Sequence, residues 1–174
     1  MSVAVETGRW QLDRTRSTVA LRHKTIWGLV TVNGTFAAVS GGGEVHPDGS
    51  ASGTVTLDSA SLDTKHAKRD KHLRSADFFD ADNHPAVTFA VRSAVPGADG
   101  TVQVAGELTV RGISRPQSFP ATVTRDGSDA VTLTAELTVD RGEFGMGWNQ
   151  LGMLRGLTTV TATLRFTHDA AASA

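Results

Sequence analysis

The chain has no cysteine and no surplus of charge of either sign: its 174 residues carry 17 Lys+Arg against 18 Asp+Glu, a formal net charge of −1 at pH 7. Without thiols there are no disulfides, no cysteine nucleophile, no iron–sulfur ligation and no sulfur-built zinc site. Without a basic excess the chain lacks the general attraction for nucleic acid or an anionic bilayer that cationic surface provides, so nucleic acid is not expected as a partner. Arg, Asp, Thr and Gly interrupt every hydrophobic stretch before it reaches bilayer length, which argues against a membrane span. The first ten residues, Met1 to Trp10, lack the basic start and apolar run of a signal peptide, so a cytoplasmic location is expected.

Chemistry-bearing patterns are equally sparse. No Gly-rich phosphate loop joins a strand to a helix, and no Gly-x-Ser-x-Gly elbow occurs. The six histidines, His23, His46, His66, His72, His84 and His168, form neither His-x-His nor His-Glu-x-x-His, so no metal is expected. Glu107 and Glu136 fall among Thr and Gln on the polar side of their segments, where nothing would move their pKa values toward acid/base work. The run Lys65 to Lys71 reads as a solvated helix face, and His66, Asp70 and His72 as a surface pair or helix cap. No catalytic residue and no cofactor are expected.

Alternation is abundant. Val102, Val104, Gly106, Leu108 and Val110 share one parity while Gln103, Ala105, Glu107 and Thr109 share the other. Val131, Leu133, Ala135, Leu137 and Val139 repeat the pattern, as do Val160, Ala162, Leu164 and Phe166. Period two with one polar face is the mark of half-buried antiparallel strands. Shorter stretches around Val19, Val30, Val55, Val87 and Phe119 bring the expected number to about eight or nine. Turn signals at Pro47–Gly49, Pro96–Gly100, Arg111–Gly112 and Asp126–Asp129 join consecutive strands as hairpins. Only Lys65 to Ser75 reads as a helix, with Asp63 or Thr64 as its cap.

With 39% apolar residues, the chain supports one all-β domain over 1–169 and a frayed tail over 170–174. Two stacked sheets or a closed barrel would each bury these faces, and periodicity does not choose between them. The long later strands and the small inward residues Gly106, Ala121, Ala135 and Ala162 lean toward a barrel with interior space.

Further along, particular residues carry a resemblance. Trp10-Gln-Leu-Asp13, Ser17-Thr-Val19-Ala-Leu21-Arg-His23 and Val32-Asn-Gly34-Thr-Phe36 are followed by Arg69 to Asp80 with its paired Phe78 and Phe79. Pro85 to Phe89, Val104 to Gly112 and Arg141 to Met146 continue the series. In order and spacing these resemble the YceI-like family of lipocalin-like, polyisoprenoid-binding proteins, from about Trp10 to His168. The resemblance implies an extended antiparallel barrel whose apolar lumen holds a long isoprenoid or fatty chain, such as an isoprenoid quinone or polyprenyl lipid, without catalysis.

Alternation then places the lumen walls at Val19, Leu21, Phe36, Phe89, Leu108, Leu133, Leu137 and Phe166. Phe78 and Phe79 would close one end. His23 shares the inward parity of Val19 and Leu21 and is positioned to meet a polar head group or to be satisfied within the core. Trp148, in line with Phe144 and Met146 if that segment is extended, would line the mouth. Two other readings stay open: an enzyme acting on an apolar molecule with His23 as acid/base, and a stress-associated scaffold or interaction protein, for which a homodimer is one form.

Overall fold

The computed structural model describes residues 5–25, 29–146 and 157–169. Trp148 and the 170–174 tail lie outside the described residues. Eleven strand segments follow one another: β1 (Gly8–Leu12), β2 (Thr18–Thr25), β3 (Val30–Phe36), β4 (Val39–Val45), β5 (Ala51–Asp58), β6 (Leu62–Asp63), β7 (Ala86–Pro96), β8 (Thr101–Val110), β9 (Ile113–Arg125), β10 (Ala130–Val139) and β11 (Thr158–His168). Among the described residues one α-helix, α1 (Ala67–Arg74), lies between β6 and β7.

The pairing resolves these segments into fewer staves. β1 and β2 lie end to end along one edge of β11, with Leu12 opposite Phe166 and Thr18 opposite Thr163. β4 and β3 lie in the same way along β1 and β2, and β5 and β6 along β4 and β3. The segments therefore make eight antiparallel staves, and the pairing of β11 with β1 and β2 closes the barrel. At the break between β1 and β2, Ser17 Oγ accepts the Arg165 N–H at 3.0 Å, so β11 keeps its donor satisfied where the adjoining strand is interrupted.

Tight turns set the register. Val110 pairs with Ile113, and the two residues between them, Arg111 and Gly112, have φ of 55° and 72°. Positive φ at both central positions suits the right-handed strand twist, so this hairpin closes in two residues. Pro47–Gly49 joins β4 to β5, and the Gly100 turn joins β7 to β8 at the same end of the barrel. Helix α1, the paired strand ends Thr25 of β2 and Val30 of β3, and the β8–β9 turn occupy the opposite end. Among the described residues, no helix is long and apolar enough to cross a membrane.

Three details correct the sequence reading. The helix begins at Ala67 and its cap is His66, whose Nδ1 accepts the Arg69 N–H at 3.2 Å. Lys65 takes a left-handed φ of 64°, which turns the chain before the helix and leaves Thr64 out of capping position. Asp70 is buried rather than on the surface: its Oδ1 accepts the Thr64 N–H at 2.9 Å and the Thr64 hydroxyl at 2.5 Å. Finally, Arg141–Phe144 forms a 3-10 turn instead of an extended strand, capped by the Asp140 carboxylate on the Gly142 N–H at 2.9 Å. That turn places Phe144, fully buried, in the cluster with Phe78, Val87, Val110, Val139 and Met146.

Candidate functional site

The inward faces of the strands do not meet in the middle. They surround a cavity of about 1020 Å³ that extends from the helix end to the β4–β5 and β7–β8 hairpins. Closing an eight-stave barrel leaves an interior that side chains either fill or leave open to one ligand, and here it is open.

Val19 and Leu21 face the cavity from β2, Phe36 from β3, Phe89 from β7 and Leu108 from β8. Leu133 and Leu137 face it from β10, and Phe166 from β11. Phe78 and Phe79, just past α1, line it at the helix end, where Phe79 meets Phe36 edge-on with ring centroids 5.8 Å apart. His23 lines it too.

The small inward residues behave in two ways. Ala121, Ala135 and Ala162 are directly opposed across β9, β10 and β11, and Ala162 is opposite Val19 of β2. Ala135 and Ala162 border the cavity, so this row widens it at mid-height. Gly106 does not widen it. A Cβ built there would lie 2.3 Å from the Ala90 carbonyl oxygen and 2.7 Å from the Phe89 ring. The missing side chain is what lets Phe89 lie across β8 and meet Phe119 at a 44° tilt, ring centroids 5.5 Å apart.

At the helix end the wall becomes polar. His23 Nδ1 is 2.9 Å from Thr158 Oγ1. Its Nε2 is buried and has no hydrogen-bond partner among the described residues. Burial, and after it the positive charge of Arg141, hold the His23 pKa below the ordinary histidine value. The imidazole is therefore neutral at pH 7, and with Nδ1 engaged by Thr158 its Nε2 has one hydrogen bond left to give or accept, according to tautomer. Arg141 borders the same part of the lumen and donates to the Met146 carbonyl, and burial pushes its own pKa down.

Sequence parity missed several wall residues. Trp10 faces the cavity while its indole N–H donates to the Glu6 carbonyl at 2.9 Å. Arg69 and His72 of α1 border the lumen as well, although the run that contains them reads as a solvated face. Arg69 Nε donates to Thr64 Oγ1 and Nη2 to the Thr64 carbonyl, both at 2.8 Å. His72 is 2.9 Å from Asp77 Oδ2. An eight-residue helix gives too little periodicity to tell which face is inward, and a 3-10 turn such as that of Arg141 has no strand parity to read. Among the described residues no three His, Asp or Glu side chains gather as a metal set.

Residues 10–170 match the family described as YceI-like domain. A UPF0312 protein of Ectopseudomonas mendocina is 42% identical over 76 residues, which cover 44% of this chain and 40% of the relative. A UPF0312 protein of Pseudomonas putida is 37% identical over 98 residues, 53% of this chain and 51% of the relative. The chain thus spans about half the length of the curated relatives it matches. The crystal structure of Burkholderia cenocepacia BcnA superposes with a TM-score of 0.81 at 24% identity, covering 88% of this chain and 98% of that one. A polyisoprenoid binding domain from Saccharophagus degradans, implicated in plant cell wall breakdown, superposes at 0.74 with 15% identity over 94% and 99%. At these identities the likeness to both structures is one of fold.

Proposed function

We propose, from the premise that this chain belongs to the YceI-like family, that it binds an amphiphilic long-chain isoprenoid in the barrel lumen and carries or stores it without chemical change. The observation that carries this reading is the continuous apolar cavity of about 1020 Å³, walled by Val, Leu and Phe from staves all around the barrel. A cavity of this size is at the upper end of the range of small-molecule sites and is large enough for a long apolar chain. Each methylene moved out of water contributes about 0.8 kcal/mol before ordering costs, so tight binding needs few polar contacts. A binding domain for polyisoprenoid among the structures of the same fold supports the ligand class.

The polar groups give the ligand a direction. Val19, Leu21, Leu133, Leu137 and Phe166 would contact the hydrocarbon. The head group would sit at the helix end, where the unsatisfied Nε2 of His23 can bond a quinone oxygen or a polyprenyl oxygen. The same Nε2 favours a second reading, an enzyme on an apolar substrate with His23 as acid/base. His23→Gln separates them: under the carrier reading the variant still holds the chain with reduced preference for one head group, and under the second reading turnover disappears.

The direct test is solvent extraction of the purified protein followed by mass spectrometry. One long-chain lipid per chain, and a negative heat-capacity change when that lipid is titrated into stripped protein, are the expected results. A lumen that yields no lipid and takes up none on titration overturns the proposal.

A further inference from the structure

The near-zero net charge conceals an uneven distribution of the lysines. The sequence contains four lysines, Lys24, Lys65, Lys68 and Lys71, and all four lie at the helix end of the barrel, the first on β2 and the others at or beside α1. All four are exposed. Lys65 pairs with Asp63 at 3.1 Å, whereas Lys24, Lys68 and Lys71 have no carboxylate within salt-bridge distance among the described residues.

The apolar surface is uneven in the same sense. Four large hydrophobic side chains are exposed among the described residues: Leu29 at 82%, Leu157 at 53%, Val30 at 41% and Val95 at 54%. Val95 belongs to the hairpin end. The other three share one rim: Val30 is opposite Thr25 of β2, Leu29 precedes it, and Leu157 precedes the Thr158 that bonds His23. Val30 and its neighbour Val32 also line the cavity, so the exposed apolar rim continues inward as the lumen wall. Large exposed hydrophobic side chains where the cavity wall reaches the surface at Val30, with Lys24 on the adjoining strand and three lysines at the same end, match the composition of a surface that rests in the headgroup region of a bilayer.

Acidic groups at this end are in part paired with cations, and Asp82, in the segment after α1, is exposed. Asp63 is held by Lys65, Asp77 by His72, and Asp80 accepts from Asn83 at 3.1 Å. Asp140 caps the 3-10 turn. Glu143 accepts through its carbonyl from Arg115 of β9, which places it across the barrel from the β2–β3 rim.

We infer that the helix-end mouth is a docking surface for an anionic lipid bilayer, at which the lumen exchanges its chain with the membrane. Leu29 and Leu157 enter the headgroup region while Lys24, Lys68 and Lys71 meet acidic lipid phosphates. A lipid tail then passes from bilayer to lumen along Val30 and Val32, beside the polar groups of Thr25 and His23 on the neighbouring strand. The inference rests on the lumen-binding reading for its purpose, but not for its measurement.

The test is co-flotation of the full chain with phosphatidylcholine vesicles, with and without about one third phosphatidylglycerol, at low and at raised salt. Binding should need the acidic lipid and fall as salt rises. Lys24→Gln, Lys68→Gln and Lys71→Gln together should weaken it roughly a hundredfold, on the basis of about fivefold per lysine. Leu29→Ser with Leu157→Ser should reduce it as well, and Val95→Ser, at the far end, should leave it unchanged. Wild-type protein that ignores acidic vesicles, or binding indifferent to both sets of changes, overturns the inference. So does a dimer in light scattering that Leu29→Ser with Leu157→Ser dissociates, because the rim would then be covered by a second copy. Solvent extraction of the same wild-type protein reports the lumen separately. Recovered lipid without vesicle binding leaves the carrier reading standing and removes the docking surface, and vesicle binding with an empty lumen does the reverse.

Discussion

His23 shows how one side chain acquires its properties from its neighbours. Its pKa is lowered first by burial and then by the Arg141 charge, relative to an ordinary value of 6.5. The unfolded chain therefore binds a proton more readily at this site than the folded one. The resulting contribution to stability is fully present above pH 6.5 and is lost as pH falls below it toward the depressed folded value. His23→Gln should flatten that part of the profile, so urea midpoints measured at pH 7 and pH 5 should differ less in the variant than in the wild type. An unchanged pH dependence would show that burial of His23 costs its cation nothing. Gly106 makes the opposite case, a position defined by what is missing. Gly106→Ala puts a methyl group against the Ala90 carbonyl and the Phe89 ring, and should cost about 1–3 kcal/mol in denaturant unfolding. The inward parity of both residues is legible in the sequence. That Gly106 yields its space to Phe89, while Ala135 yields its space to the lumen, is not, because it depends on which ring of the neighbouring strand leans over which position.

The strands were legible because period two persists over ten or so residues and one slip would expose an entire face. The interruption of staves was not. β1 and β2 share a partner strand across a break at Asp13–Ser17, and only the pairing with β11 reveals them as one stave. Helix α1 was legible in place to within two residues at each end, but not in its attachments. One tie to the barrel is the buried Asp70, 7% exposed, which accepts two hydrogen bonds from Thr64. Asp70→Ala leaves the buried Thr64 N–H and the Thr64 hydroxyl proton without their acceptor and should cost about 1–3 kcal/mol. Asp70→Asn, which keeps one oxygen acceptor, should cost less. Hydrogen exchange of the α1 amides should rise in the alanine variant well before those of β8 to β10, and uniform change across the barrel would contradict a local role for this contact.

On the scale of the whole molecule the question is what the hollow is for. A protein interior normally packs at the density of an organic crystal, and unfilled apolar space costs stability. A lumen kept open through the middle of an eight-stave barrel is therefore an expense that a bound chain would offset. Ala135→Trp tests this without touching the polar end. The ring projects from a row of opposed alanines into empty space, so the fold should hold its unfolding midpoint while the lumen loses capacity, seen as shorter or less lipid recovered. Loss of folding with no change in lipid would mean that the row is packed rather than open.

The most direct measurement is native mass spectrometry of the protein purified from its expression host, paired with solvent extraction of the same sample. A single long-chain isoprenoid bound one to one, displaced in Ala135→Trp, is the result this account requires. A mass equal to that of the bare chain, in a protein that stays bare after exposure to polyprenyl lipid in detergent, would contradict it.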